Sequence, residues 1–151
     1  MSFQIIDNFL DDEECYQLIS SAEGKPWNKE FHGQESTGVT DQIDLWGRLN
    51  SVAKKLNNSR IDWWQTVKWK PGTQMPFHID TGKEDTTLAS IIYLNNDYVG
   101  GDTLFLDIGV SPRRGRALFF DGMFYRHAVG RIESGQRYVI ATWYKACEKK
   151  T

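Results

Sequence analysis

From Arg60 onward the chain stops reading as helix. Ile61, Trp63, Gln65, Val67 and Trp69 alternate with Asp62, Trp64, Thr66, Lys68 and Lys70, a period of two that ends at Pro71-Gly72. Residues two apart on an extended segment share a face, so this run predicts one long strand with an odd-numbered and an even-numbered face. Shorter runs follow at Leu88–Leu94, Thr103–Leu106, Arg116–Phe120, His127–Val129 and Arg137–Tyr144. Asn95-Asn96, Gly100-Gly101, Arg114-Gly115 and Ser134-Gly135 separate them. Turn dipeptides at such short intervals predict hairpins and an antiparallel sandwich or barrel.

The first part of the chain has a different rhythm. Phe3–Ile6 reads as a short strand, and Asp11-x-x-Glu14 fits a capping box that opens a helix carrying Cys15, Leu18, Ile19 and Ala22 on one face. Gly24 and Pro26 stop it. Residues 24–40 hold four Gly or Pro among polar residues, with Trp27, Phe31 and Val39, which predicts a mobile surface loop. A second amphipathic helix is expected from about Asp41, with Ile43, Trp46, Leu49, Ala53 and Leu56 in register until Asn57-Asn58. Two helices followed by many strands predict an α+β fold with a jelly-roll core. At 151 residues, with 40% apolar and 13% aromatic side chains, there is material for one core, so residues 1–151 are read as one domain.

Charge narrows the partners. A formal charge of -2 argues against a phosphate backbone or an anionic membrane as the main partner, which leaves small molecules or proteins and no role for nucleic acid. No apolar run reaches the length of a bilayer-spanning helix, and Met1–Gln4 lacks the regions of a signal peptide, so a cytoplasmic protein is expected. Cys15 and Cys147 are far apart and belong to no Cys/His cluster, and neither reads as catalytic. Nothing in the sequence fixes an oligomeric state.

The residues with chemistry are few. His78-Ile79-Asp80 puts an imidazole and a carboxylate on one face of an extended segment, where they can converge on one ion. The same pattern also suits a histidine merely oriented by its neighbour. His127 opens a later strand and is the candidate third ligand, while His32 lies among polar residues and reads as solvated. Two imidazoles and one carboxylate on one face of an octahedral ion leave three positions open, which suits Fe(II) rather than a closed zinc site. Arg137 follows His127 across the turn Glu133–Gln136. Two antiparallel strands joined there would bring the guanidinium into the cavity of the histidines, where it can pair with a dicarboxylate; an ordinary strand arginine is the other reading.

These residues and their surroundings resemble the prolyl 4-hydroxylase-like branch of the Fe(II)/2-oxoglutarate dioxygenases. The resemblance runs from about Trp63 to Trp143: Pro71-Gly72 before His78-x-Asp80, then Tyr93-Leu94-Asn95, Gly100–Phe105, Pro112–Phe120, and His127-Ala-Val-x-x-Ile132-x-x-Gly135-x-Arg137. It implies a double-stranded β-helix with the N-terminal helices packed on the major sheet. It implies that His78, Asp80 and His127 hold iron, and that Arg137 pairs with the distal carboxylate of 2-oxoglutarate. Tyr93 and Thr103 would help hold that carboxylate, and Trp143 would pack near the substrate proline.

Two positions depart from the family pattern. Trp69 stands where members often carry a tyrosine that reaches the co-substrate, and an indole can only donate there. Thr86 stands where relatives commonly have an arginine facing the peptide. The resemblance implies hydroxylation of a prolyl residue in a peptide or protein, with 2-oxoglutarate and O₂ consumed and succinate and CO₂ released. Ascorbate is a further candidate cofactor. Another residue or a free amino acid is the alternative acceptor, and a non-catalytic jelly-roll binding module is the alternative to an enzyme. A short loop from Thr81 to Asp85 is expected to leave the groove open.

Overall fold

The computed structural model describes residues 3–80 and 85–147, so the loop expected to leave the groove open lies outside the described residues except for Asp85. The chain starts with β1 (Gln4–Ile6) and enters α1 (Asp12–Glu23) through the expected capping box. The Asp11 carboxylate accepts from Glu14 N–H at 2.8 Å, and the Glu14 carboxylate accepts from Asp11 N–H at 3.0 Å. Cys15, Leu18 and Ala22 form its buried face.

Residues 24–40 are not a loose loop. β2 (Asn28–Lys29) and β3 (Glu35–Thr37) form a hairpin turning at Gly33, whose φ of 84° suits glycine. β3 pairs in turn with β4 (Ser59–Trp69), which makes the hairpin the edge of a sheet. α2 (Leu45–Asn57) also starts later than the periodicity suggests. Asp41 stands ahead of it, and its carboxylate accepts from Leu45 N–H at 2.7 Å and Trp46 N–H at 2.9 Å, satisfying donors that a first turn leaves free.

The remaining strands are β5 (Met75–His78), β6 (Thr86–Tyr93), β7 (Val99–Gly100), β8 (Thr103–Phe105), β9 (Gly109–Val110), β10 (Ala117–Phe120), β11 (His127–Val129), β12 (Ile132–Ser134) and β13 (Arg137–Ala146). They build a major sheet in the order β1-β10-β6-β13-β4-β3-β2 and a minor sheet in the order β5-β11-β8-β9, with β12 and β7 as a separate pair. The architecture is the expected α+β one, a double-stranded β-helix with both helices on the outer face of the major sheet.

Alternation along the central strands sorts side chains into two layers. Leu88, Ile92, Ile140 and Tyr144 meet Leu18, Leu49 and Ala53 of the helices. Val67, Val139, Phe120, Phe105 and Val129 fill the space between the sheets. Each fully buried aliphatic side chain contributes about 1.5–3 kcal/mol. β4 departs from the strict alternation in its sequence. β13 pairs Trp143 with Trp63 but Tyr144 with Ile61, so Asp62 is an extra residue that flips the parity. Ile61 therefore packs with the helices, whereas Trp63, Gln65, Val67 and Trp69 face between the sheets.

Candidate metal and co-substrate site

Beyond that flip, regular pairing aligns two columns of side chains. Trp63, Gln65, Val67 and Trp69 stand directly opposite Trp143, Ala141, Val139 and Arg137 on β13. Together they form one wall of a cavity of about 200 Å³. At roughly 3.3 Å per residue, Arg137 and Trp143 are about 20 Å apart along the strand. The facing wall comes from the minor sheet and carries Met75, His78, Asp80, His127 and Val129.

His78 on β5 and His127 on β11 are direct cross-strand partners. Their Nε2 atoms stand 3.6 and 3.3 Å from Asp80 Oδ1, and the three candidate donor atoms lie within 4.8 Å of one another. Each ring is oriented from behind: His78 Nδ1 is 2.9 Å from the Pro76 carbonyl and His127 Nδ1 is 2.8 Å from the Tyr125 carbonyl. A carbonyl only accepts, so both Nδ1 atoms carry the proton and a neutral ring turns its Nε2 lone pair to Asp80. Burial holds His78 below the ordinary imidazole value, and His127 pushes the same way, against the Pro76 carbonyl and Asp80. Asp80 Oδ2 is buried and has no hydrogen-bond partner among the described residues. Lone pairs from two imidazoles and a carboxylate facing one another fit a cation between them, and this donor set with open positions suits Fe(II).

Arg137 lies deep in the major sheet at 1% exposure. Its Nε donates to Gly101 O at 3.0 Å and its Nη2 to Thr103 Oγ1 at 3.2 Å, while the Tyr93 and Thr103 hydroxyls bond to each other. The Trp69 and Tyr93 rings lie 5.7 and 5.5 Å from the guanidinium carbon. Among the described residues no carboxylate pairs with Arg137. A buried cation without a counter-charge calls for an anion, and the Trp69 Nε1 donor beside it is also buried and unpartnered. Both residues line the cavity, and their donors fit the carboxylate of a diacid.

The sequence-predicted residues are thus gathered unevenly. His78, Asp80, His127, Arg137, Trp69 and Trp143 line the cavity, while Tyr93 and Thr103 sit behind Arg137 and do not. The expected route from His127 to Arg137 is wrong: their strands belong to different sheets and face each other across the sandwich, and the intervening β12 pairs with β7. Gln34 and Gln65 also line the cavity, and neither was singled out by its sequence. The alternation of β4 puts Gln65 on the face of Trp69, and the edge hairpin, which leaves no local mark in the sequence, delivers Gln34. Trp63 stacks on Trp143 with ring centres 3.9 Å apart and planes 10° apart.

The sequence pattern of the 2OG-Fe(II) oxygenase superfamily matches residues 64–145, more than half of the chain. The chain belongs to this superfamily. It is a 2-oxoglutarate- and Fe(II)-dependent oxygenase, and its fold is shared with solved members. Viral collagen prolyl hydroxylase from Paramecium Bursaria Chlorella virus-1, solved with 2OG, superposes with a TM-score of 0.79 at 21% identity, covering 98% of this chain and 97% of that one. Trichoplax adhaerens prolyl hydroxylase, in complex with a hypoxia inducible factor peptide fragment, gives 0.80 at 18% identity over 95% and 83%. HygX from Streptomyces hygroscopicus, bound to nickel, 2-oxoglutarate and hygromycin B, gives 0.77 at 14% identity over 96% and 83%. No curated protein sequence matches the chain significantly. No helix among the described residues is long and apolar enough to cross a membrane.

Proposed function

We propose that this oxygenase hydroxylates prolyl residues of a peptide or protein, with His78, Asp80 and His127 as the iron ligands and Arg137 as the anchor for the distal carboxylate of 2-oxoglutarate. Residues 1–151 act as one domain in this reading. Bound iron supplies the activation of O₂ and its coupling to the conversion of 2-oxoglutarate to succinate and CO₂. The chain's own residues do the positioning. Arg137 neutralises and orients the diacid, Trp69 donates a further hydrogen bond, and Tyr93 and Thr103 hold the guanidinium from behind.

The observation that carries the acceptor is the neutrality of the remaining lining. Apart from the three candidate ligands and Arg137, the described lining residues are uncharged: Gln34, Trp63, Gln65, Ser90, Ile91, Trp143 and their aliphatic or aromatic neighbours. A free amino acid brings an ammonium and a carboxylate, and burying either without a partner is costly. A prolyl residue within a chain brings neither. The stacked Trp63 and Trp143, with Trp63 40% exposed, offer it a flat apolar surface. The peptide and collagen relatives among the solved structures support this reading, whereas HygX, of the same fold, holds hygromycin B. Free Cys15 and Cys147 suit a reducing compartment, and we place the protein in the cytoplasm.

The test incubates the protein with Fe(II), 2-oxoglutarate, ascorbate and air in the presence of proline-containing peptides. We expect one added oxygen on proline by mass spectrometry and matching succinate. Oxygen added only to free amino acids overturns the peptide acceptor. Absence of succinate, even the uncoupled product formed without acceptor, overturns the enzyme in favour of a binding module.

A further inference from the structure

We infer that Asp121 and Gly122 are positioning residues for the metal centre, and that the turn they open sets how the Asp80 carboxylate and the His127 ring are aimed. This rests on the assignment of His78, Asp80 and His127 as ligands and deepens it. Asp121 follows β10, and its carboxylate Oδ1 accepts from the Met123 and Phe124 N–H groups, both at 3.1 Å. Its carbonyl accepts from Tyr125 N–H at 2.9 Å. A short turn is thereby locked from Asp121 to Tyr125.

The locked turn reaches two of the three candidate ligands. The Gly122 carbonyl accepts from Asp80 N–H at 2.9 Å, and the Tyr125 carbonyl accepts from His127 Nδ1 at 2.8 Å. Asp80 and His127 come from different stretches of chain, so their spacing depends on this shared support. His78 is held separately by Pro76.

Gly122 makes room for the Asp80 carboxylate. A Cβ there would collide with Asp80 Oδ2 and stand 2.8 Å from its Cγ. Gly122 is not among the glycines with positive φ, so the absent side chain serves space rather than backbone freedom. Oδ2 is buried against this glycine without a hydrogen-bond partner among the described residues, while Oδ1 faces both imidazoles. Held in this way, Asp80 turns Oδ1 toward the Nε2 atoms of both histidines.

The test measures Co(II) binding to the purified protein by calorimetry, without 2-oxoglutarate or O₂, together with the visible cobalt spectrum and thermal melting of the metal-free protein. In Asp121→Asn the amide oxygen accepts the same two N–H groups, and affinity should stay within a few-fold of wild type. Asp121→Ala and Gly122→Ala should bind roughly 10- to 100-fold more weakly, with altered cobalt spectra and little change in metal-free melting. Wild-type affinity and spectrum in either variant, or loss of the folded state in both, overturns the inference. Failure of the wild-type protein to bind cobalt overturns the ligand assignment itself and this inference with it.

Discussion

The two faces of the major sheet are made by the same strands and put to different uses. Toward the helices, Leu88, Ile92, Ile140 and Tyr144 are fully buried and tightly filled. Toward the minor sheet, the neighbours of those residues, Arg137, Val139, Ala141 and Trp143, line an open cavity that holds a cation without a counter-charge and an indole N–H without an acceptor. One face has its interactions complete, and the other keeps them for ligands. β13 shows the division most sharply, because each step along it crosses from support to chemistry. The lesson is that the helical layer tolerates a cavity lined with unpaired polar groups by supplying stability from behind it.

Substitutions on either side of β13 should separate the two roles. The largest effect is expected outside the strand, where His127→Ala removes a proposed ligand and should abolish both divalent metal binding, measured by calorimetry, and succinate formation. Ile140→Ala, on the helix face, should cost about 2–5 kcal/mol in denaturant unfolding, while succinate formation per folded molecule stays near wild type. Arg137→Ala, three residues away on the cavity face, should raise the 2-oxoglutarate requirement roughly 10- to 100-fold, as expected from losing hydrogen bonds to a charged group. Its cobalt affinity should remain near wild type, and parallel loss of both would contradict the separate roles. Trp63→Ala removes an aromatic stack of about 0.5–1.5 kcal/mol and should raise KM for a proline-containing peptide roughly 2- to 10-fold. An unchanged KM would remove the tryptophan pair from the acceptor site.

Much of this division was readable before the structure. The capping box at Asp11 and Glu14, the apolar stripes of both helices and the turn dipeptides between strands are local signals, and they gave the α+β class and the antiparallel core. His78-x-Asp80 was readable because the period of two is also local. What was lost depends on partners. The parity flip at Asp62 exists only in the pairing of β4 with β13, so the odd-numbered column was expected to face one way throughout. The hairpin at residues 24–40 has strands too short to show a period and is held by β4. The space that Gly122 leaves for Asp80 joins residues that no periodicity connects.

The order of the cross-strand pairs has one more consequence. Arg137 and Trp69 form the floor, and the partly exposed Trp63 with Trp143 forms the rim. With its other sides packed by Tyr93, Thr103 and Gly101, the guanidinium is reached among the described residues by way of the cavity. On the proposed assignment, traffic would be last in, first out: the diacid would settle before a peptide closes the doorway, and spent succinate would leave only after the peptide has stepped aside.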